Sequence, residues 1–278
     1  MIGQDIAGRR VLVTGAARGM GRAIALTFGR AGAHVLALGR SAASLAGLGD
    51  ELRGLPAGFT PLACDLARAE DIEAAAEAAG AVDVLINNAG IAGVESPFLA
   101  MTPEAWQEVL AVNLTAPFRL SQLVARRMVA DGRGGVILHN ASIAASAVDG
   151  EYSHYSASKA GLLALMRSMA VELAPHRIRV NAVSPGYTRT TMPTGLLPED
   201  RQAILSTGFV RAPIRRIVEA EEVANAFLFL ASDAASGITG TNLVVDGGLT
   251  ANHYVMETLP RADRSGPALR PSAGADTP

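Results

Sequence analysis

Tyr155 and Lys159 stand four residues apart in a stretch with helical patterning, so their side chains project from one face. A free phenol titrates at about 10, and an ammonium one helical turn away favours the phenolate. Such a pair can exchange a proton with an alcohol or a carbonyl near neutral pH. Ser142, thirteen residues before Tyr155 and just past an apolar run, can hold the same oxygen through a hydrogen bond. A part-buried tyrosine beside a snorkelling lysine is the ordinary alternative for such spacing. The pair gains weight from what precedes it in the chain.

What precedes it is Thr14-Gly15-Ala16-Ala17-Arg18-Gly19-Met20-Gly21, after an apolar run and before an Ala-rich one. Gly15 permits a tight turn off a strand, Gly19 lets backbone approach a pyrophosphate, and Gly21 lets a helix pack against the sheet. A helix opening here presents N–H groups and the positive dipole end to phosphates. Tight packing of a turn would also explain glycines in isolation. The strand before and the helix after favour a dinucleotide site. No GK[ST] follows, which excludes a P-loop.

The second apolar run ends at Leu38-Gly39-Arg40-Ser41. An acid at position 39 would take the 2′-hydroxyl of NAD, whereas an arginine can pair with the 2′-phosphate of NADP. Gly39 and Arg40 therefore favour NADP over NAD, and Arg18 offers a second positive charge. An exposed charge leading the next helix is the plain alternative for Arg40. Asp65, before Leu66, can accept from an adenine amino group or cap the following helix. In Asn87-Asn88-Ala89-Gly90, small residues leave room for a ribose and amides can tie strand ends together. Asn87 reads as structural, and Asn88 lies closer to the cofactor path. A positive nicotinamide ring would add to Lys159 in favouring the phenolate.

Those residues need elements to hold them. β-branched or Leu-rich runs at 10–14, 34–38, 59–63, 82–87, 135–140, 178–183 and 242–245 alternate with helical patterns at 20–31, 42–52, 69–79, 103–130, 153–174 and 220–231. Strands apolar on both faces, alternating with helices, predict a parallel sheet covered on both sides. Right-handed crossovers make it a single Rossmann-like doubly wound α/β sheet of about seven strands. One domain over residues 5–255 is expected. Residues 257–278 hold four prolines with no Ile, Val or Phe, and are expected to form a disordered tail.

Composition removes several classes of function. With 49% hydrophobic residues the chain can bury a large core. Lys plus Arg number 24 against 26 Asp plus Glu, so no basic field exists to hold nucleic acid or an anionic membrane. The lone cysteine, Cys64, reads as a small core residue, and no Cys/His cluster suggests a metal. The first ten residues resemble neither a signal nor an anchor. Apolar runs fall far short of the roughly 20 residues that span a bilayer. A reducing, cytoplasmic setting is expected.

In combination these pieces resemble the short-chain dehydrogenase/reductase family, over about residues 8–248. The matching motifs are residues 14–21, residues 87–90, Asn113 within Val112-Asn113-Leu114, Ser142, Tyr155 with Lys159, Pro185-Gly186-Tyr187-Thr188-Arg189-Thr190, and Val245-Asp246-Gly247-Gly248. The resemblance implies a catalytic tetrad of Asn113, Ser142, Tyr155 and Lys159. Tyr155 would be the general acid in reduction and the base in oxidation, with Ser142 orienting the substrate oxygen. Lys159 would bind the nicotinamide ribose and depress the tyrosine pKa. Asn113 would kink its helix and hold a water linking Lys159 to solvent. Cofactor contacts would fall to Gly15, Arg18, Gly19, Met20, Gly21, Arg40, Asp65, Leu66, Asn88, Ala89, Gly90, Tyr155, Lys159, Pro185, Gly186, Thr188 and Thr190. The last two would fix the nicotinamide carboxamide. A homotetramer or homodimer, paired through the 153–174 helix and the one before it, is implied.

The expected activity is interconversion of a small-molecule secondary alcohol and a ketone with NADP(H), like a 3-oxoacyl or other ketone reductase. An NAD-dependent dehydrogenase of a sugar, polyol or steroid-like alcohol is the nearest rival, and a non-catalytic dinucleotide sensor the rival of another class. The substrate would be shaped by residues 93–98, 143–152 and an apolar lid at 191–213. Arg189, Arg211, Arg215 and Arg216 read as solvated charges, any of which could otherwise greet a carboxylate or phosphopantetheine. Trp106 reads as packing or a subunit contact. His154 is expected on the helix surface.

Overall fold

In the first strand Val11 and Val13 belong to one buried cluster and Leu12 to another, as side chains alternating across a sheet require. The computed structural model describes residues 3–55, 58–148, 150–190 and 212–251. The order is β1 (Arg10–Thr14), α1 (Gly19–Arg30), β2 (His34–Gly39), α2 (Ala42–Leu52), β3 (Phe59–Ala63), α3 (Ala69–Ala79) and β4 (Val84–Asn87). There follow α4 (Pro103–Leu110), α5 (Ala116–Asp131), β5 (Gly135–Asn140), α6 (Ser153–Leu173) and β6 (Ile178–Pro185). The short strands β7 (Thr188–Arg189) and β8 (Val218–Glu219) precede α7 (Ala220–Ala231) and β9 (Asn242–Val245).

Seven strands form one sheet in the order β3-β2-β1-β4-β5-β6-β9, every neighbouring pair parallel. Ile24 and Phe28 of α1, Leu45 and Leu48 of α2, and Phe227 of α7 cover one face. Ile72 of α3, Leu120 and Met128 of α5, and Leu163 and Met166 of α6 cover the other. Each such side chain contributes about 1.5–3 kcal/mol on burial. The doubly wound α/β architecture is the one expected. The order reverses between β1 and β4, so a crevice opens beyond the carboxyl ends of these strands.

Local sequence starts the helices. Ser41 Oγ accepts from Ser44 N at 3.2 Å and Thr102 Oγ1 from Ala105 N at 3.2 Å, capping α2 and α4. Glu219 and Glu222 form a reciprocal capping box on α7.

The single helix expected over 103–130 is interrupted by a π-helical turn, Ala111–Thr115. Pro117 has no N–H to give the Asn113 carbonyl four residues back. The Ala116 N–H reaches instead to Ala111 O, one residue further than in an α-helix. The strand expected from 82 begins at Val84, with Asp83 just before it accepting from Arg10 N through its carboxylate at 2.8 Å. β6 runs on to Pro185, paired with Val245, and the β7–β8 ribbon was not foreseen. The expected tail, and residues 191–211 of the expected lid, lie outside the described residues. Among the described residues no helix is long and apolar enough to cross a membrane.

Candidate active site

The glycine turn between β1 and α1 is built as its spacing demands. Gly15 and Gly19 have φ of +65° and +56°, which side-chain-bearing residues rarely adopt. A Cβ at Gly15 would stand 3.0 Å from Ala89 Cα, and one at Gly21 would fall within the Gly15 carbonyl. Arg18 takes the N-cap of α1 without a side-chain hydrogen bond to it. Thr190 lies over the turn, its Cβ 3.6 Å from where a Gly19 Cβ would stand. Residues 171 positions apart in the chain therefore close on the same crevice.

Three strand ends are tied together beneath that turn. Thr14 Oγ1 accepts from the N–H groups of Asn88 and Ala89, both at 2.9 Å. Asn88 Nδ2 donates to Thr14 O at 2.8 Å, and Asn140 Nδ2 donates to Asn88 Oδ1 at 2.9 Å. The Asn88 amide is thus committed to joining β1, β4 and β5. Asn87 is structural, as expected: it is buried and donates to Ser121 Oγ at 2.9 Å. Neither Thr14 nor Asn140 was singled out from the sequence. Both are polar residues closing an apolar strand, which was the available signal.

Arg40 is exposed at the carboxyl end of β2 and pairs with no carboxylate among the described residues. Gly39 before it is crowded, since a Cβ there would meet the Leu45 side chain at 3.1 Å and Ser44 Oγ at 3.2 Å. Asp65 is also exposed, and its Oδ1 accepts from Ala67 N at 3.0 Å, leading the chain toward α3. Leu66 is half-buried beside it. Cys64 is buried as expected, and burial, Asp71 and Asp65 push its thiol up to about 11.

At the far side of the crevice, Ser142 follows β5 and heads a short 3₁₀ turn, its Oγ accepting from Ala144 N at 3.1 Å. Lys159 is buried, its Nζ donating to Asn140 O at 2.7 Å and standing 5.6 Å from the centre of the Tyr155 ring. Burial pushes the lysine down to about 8. Burial also raises Tyr155 above the usual phenol range, while a side-chain hydrogen bond with Ser142 pulls it down. The expected depression of the tyrosine by Lys159 is thus not what the protein's own groups produce. The ammonium is directed onto a carbonyl, and desolvation of the phenol is the largest influence on its titration.

Asn113 is fully buried in the π turn. Its Oδ1 accepts from Ile91 N at 2.9 Å, and its Nδ2 donates to Ile91 O at 2.8 Å and Ser158 Oγ at 3.1 Å. Gly90 runs between Asn113 and Lys159, a Cβ there standing 3.2 Å from Asn113 Oδ1 and 3.5 Å from Lys159 Nζ. Pro185 ends β6, and the Gly186 N–H donates to Val245 O at 3.0 Å. Thr188 Oγ1 donates to Gly186 O at 3.0 Å. Asp246 braces this corner by accepting from Gly248 N, Thr250 N and Thr250 Oγ1. Burial pulls its carboxyl up, but these bonds outweigh that and hold it low.

His154 overturns an expectation, for it is fully buried rather than on the helix surface. Its Nδ1 accepts from Tyr155 N at 2.9 Å, and the backbone of Gly93, with φ +76°, packs directly on Nε2. The helix face carrying it lies under the 90–96 loop, a long-range contact that local pattern does not reveal.

Among the described residues no three His, Cys, Asp or Glu side chains gather to hold a metal. What converges is a glycine cradle beside a buried tyrosine, a buried ammonium and a hydroxyl.

Comparison with known proteins places this geometry in company. Residues 15–250 match the family described as enoyl-(acyl carrier protein) reductase. The chain is 42% identical over 245 residues to D-erythrulose reductase of Gallus gallus, covering 87% of this chain and 95% of that one. A short-chain type dehydrogenase/reductase from Mycobacterium marinum superposes with a TM-score of 0.82 at 36% identity, over 90% of this chain and 98% of that one. L-Sorbose reductase from Gluconobacter frateurii, solved with NADPH and L-sorbose, gives 0.83 at 32% identity, over 91% and 100%.

Proposed function

The chain belongs to the short-chain dehydrogenase/reductase family, and from that premise we propose that it interconverts a secondary alcohol and a ketone with NADP(H). The observation that carries the reading is the convergence of Tyr155, Lys159 and Ser142 beyond β5, facing the glycine turn beyond β1.

The residues fit a dinucleotide. The cradle at Gly15 and Gly21 is closed to any side chain, and Arg40 stands exposed without a carboxylate partner among the described residues. Gly15, Arg18, Gly19, Met20 and Gly21 would hold the pyrophosphate, and Arg40 the 2′-phosphate. The crowding at Gly39 works against an acid there and hence against NAD. Asp65 and Leu66 would face the adenine, and backbone at Asn88, Ala89 and Gly90 the ribose. Tyr155 and Lys159 would hold the nicotinamide ribose, with Pro185, Gly186, Thr188 and Thr190 at the carboxamide. When bound, the dinucleotide supplies the hydride in reduction or accepts it in oxidation.

The chain supplies position and protons. In reduction Ser142 Oγ orients the carbonyl oxygen by hydrogen bonding. As the C–O π bond breaks and negative charge gathers on the oxygen, the Tyr155 hydroxyl would give its proton to that oxygen. A buried, raised phenol holds that proton until charge develops on the substrate. The Lys159 ammonium, held by Asn140 O beside the Tyr155 ring, would stabilise the negative charge of the resulting phenolate. The Asn113 amide is committed to Ile91 and Ser158, so the relay water assigned to this residue falls to its backbone carbonyl, which Pro117 leaves without its regular donor.

We also propose a homotetramer or homodimer in the cytoplasm, formed from a single domain over residues 5–255. The groove between α5 and α6, about 370 Å³ and lined by Phe118, Val129, Leu165 and Met169, supports pairing through these helices. A lone buried thiol suits a reducing compartment.

The test is oxidation of NADPH across a panel of neutral ketones, with Tyr155→Phe as control. Turnover should fall by about 10²–10⁴-fold in the variant with NADPH binding retained. Binding of NADPH with no ketone reduced would instead identify a sensor.

A further inference from the structure

The loop after β4 runs back along the start of α6. Gly90 lies against Lys159, and Gly93 packs on His154. Further on, Tyr152 Oη donates to Glu95 Oε2 at 3.1 Å, and Ser96 N to Glu151 O at 3.0 Å. Each step along the loop meets a residue nearer the start of α6, from Lys159 through His154 to Tyr152, so Glu95 is tied to the residue three positions before Tyr155. Its carboxylate is exposed, and no Lys or Arg among the described residues pairs with it. Of the arginines that follow Gly186, Arg189 pairs with Glu219 and Arg216 with Glu222, and Arg215 pairs with no carboxylate among the described residues.

We infer that Glu95, positioned by Tyr152, selects a neutral polyhydroxylated ketone and rejects an anionic one. This rests on the reading of the site as a ketone reductase. One carboxylate oxygen is held by the tyrosine, and the other remains to accept from substrate hydroxyls, as a charge-assisted hydrogen bond. The same charge repels a phosphate, a carboxylate or a phosphopantetheine arm. Discrimination of this kind works by penalising the wrong ligand as well as holding the right one.

The experiment uses a matched pair of substrates, the ketopentose xylulose and its 5-phosphate, with the full chain and NADPH. Wild type should favour xylulose in kcat/KM by about tenfold or more, the scale of one unfavourable charge contact. Glu95→Gln should bring the ratio to near unity, through loss with xylulose and gain with the phosphate. Tyr152→Phe, which frees the carboxylate without removing it, should give an intermediate ratio. Added salt should raise turnover of the phosphate by wild type and not by Glu95→Gln. Calorimetric titration of the Tyr155→Phe variant with both ketoses reads the same preference without turnover. Equal binding of the two, or a ratio indifferent to Glu95→Gln, overturns the inference. Preferential binding of xylulose with no ketone reduced by wild type would defeat the reductase reading and leave the role of Glu95 standing.

Discussion

Lys159 gives its Nζ to the backbone oxygen of Asn140 at 2.7 Å, which ties the lysine to the end of the strand that delivers Ser142. The same Asn140 donates through its side chain to Asn88, so one residue links the ammonium to the β1–β4 crevice at the end of the strand that leads to Ser142.

That burial has a measurable consequence in pH. The Lys159 pKa falls from 10.5 to about 8 in the folded chain, so between those values the unfolded chain binds more protons. Stability therefore rises with pH across that window, and at pH below about 8 the fold carries the full desolvation cost. Relative to Lys159→Met, wild type should gain up to about 3 kcal/mol from pH 7 to pH 10. Urea denaturation of both proteins across this range checks it. A flat difference would mean the ammonium stays solvated.

Arg40→Ala should weaken NADPH about ten- to hundredfold and leave NADH within about twofold, since only the former offers a 2′-phosphate to a guanidinium. Fluorescence titration with each dinucleotide reads this directly. Equal losses with both would show that the arginine does not discriminate between them.

Two glycine-to-alanine changes should have opposite signs. At Gly21 the methyl group meets the Gly15 carbonyl, backbone against backbone, so Gly21→Ala should cost about 1–3 kcal/mol or more and impair dinucleotide binding. At Gly47, exposed in α2 with nothing within 4 Å, Gly47→Ala should add about 0.5–1 kcal/mol. Thermal melts of both variants decide. Equal effects would show that the turn relaxes around a side chain.

Much of the site was legible because its signals are local. Tyr155 and Lys159 face one way by helical geometry alone, and Gly15, Gly19 and Gly21 are demanded by one turn and the helix after it. The break in the long fourth helix was hidden, although its cause, Pro117, lay in plain view. Proline in a first turn reads as a normal start, and only the widened hydrogen bond to Ala111 shows that the helix was already under way.

By itself the sequence determined the alternation of strands and helices, the parallel sheet, the glycine turn and the pairing of Tyr155 with Lys159 on one helix face. These follow from periodicity and from backbone freedom within a few residues. The tertiary structure alone decided which polar groups answer one another. Thr14 and Asn88 meet across 74 positions, Asn140 and Asn88 across 52, and Glu95 and Tyr152 across 57. It also decided that His154 is buried and that Lys159 turns to a carbonyl rather than to the phenol. The reason is that desolvation and long-range hydrogen bonding depend on what the fold packs against a residue, and pattern along the chain carries no record of that.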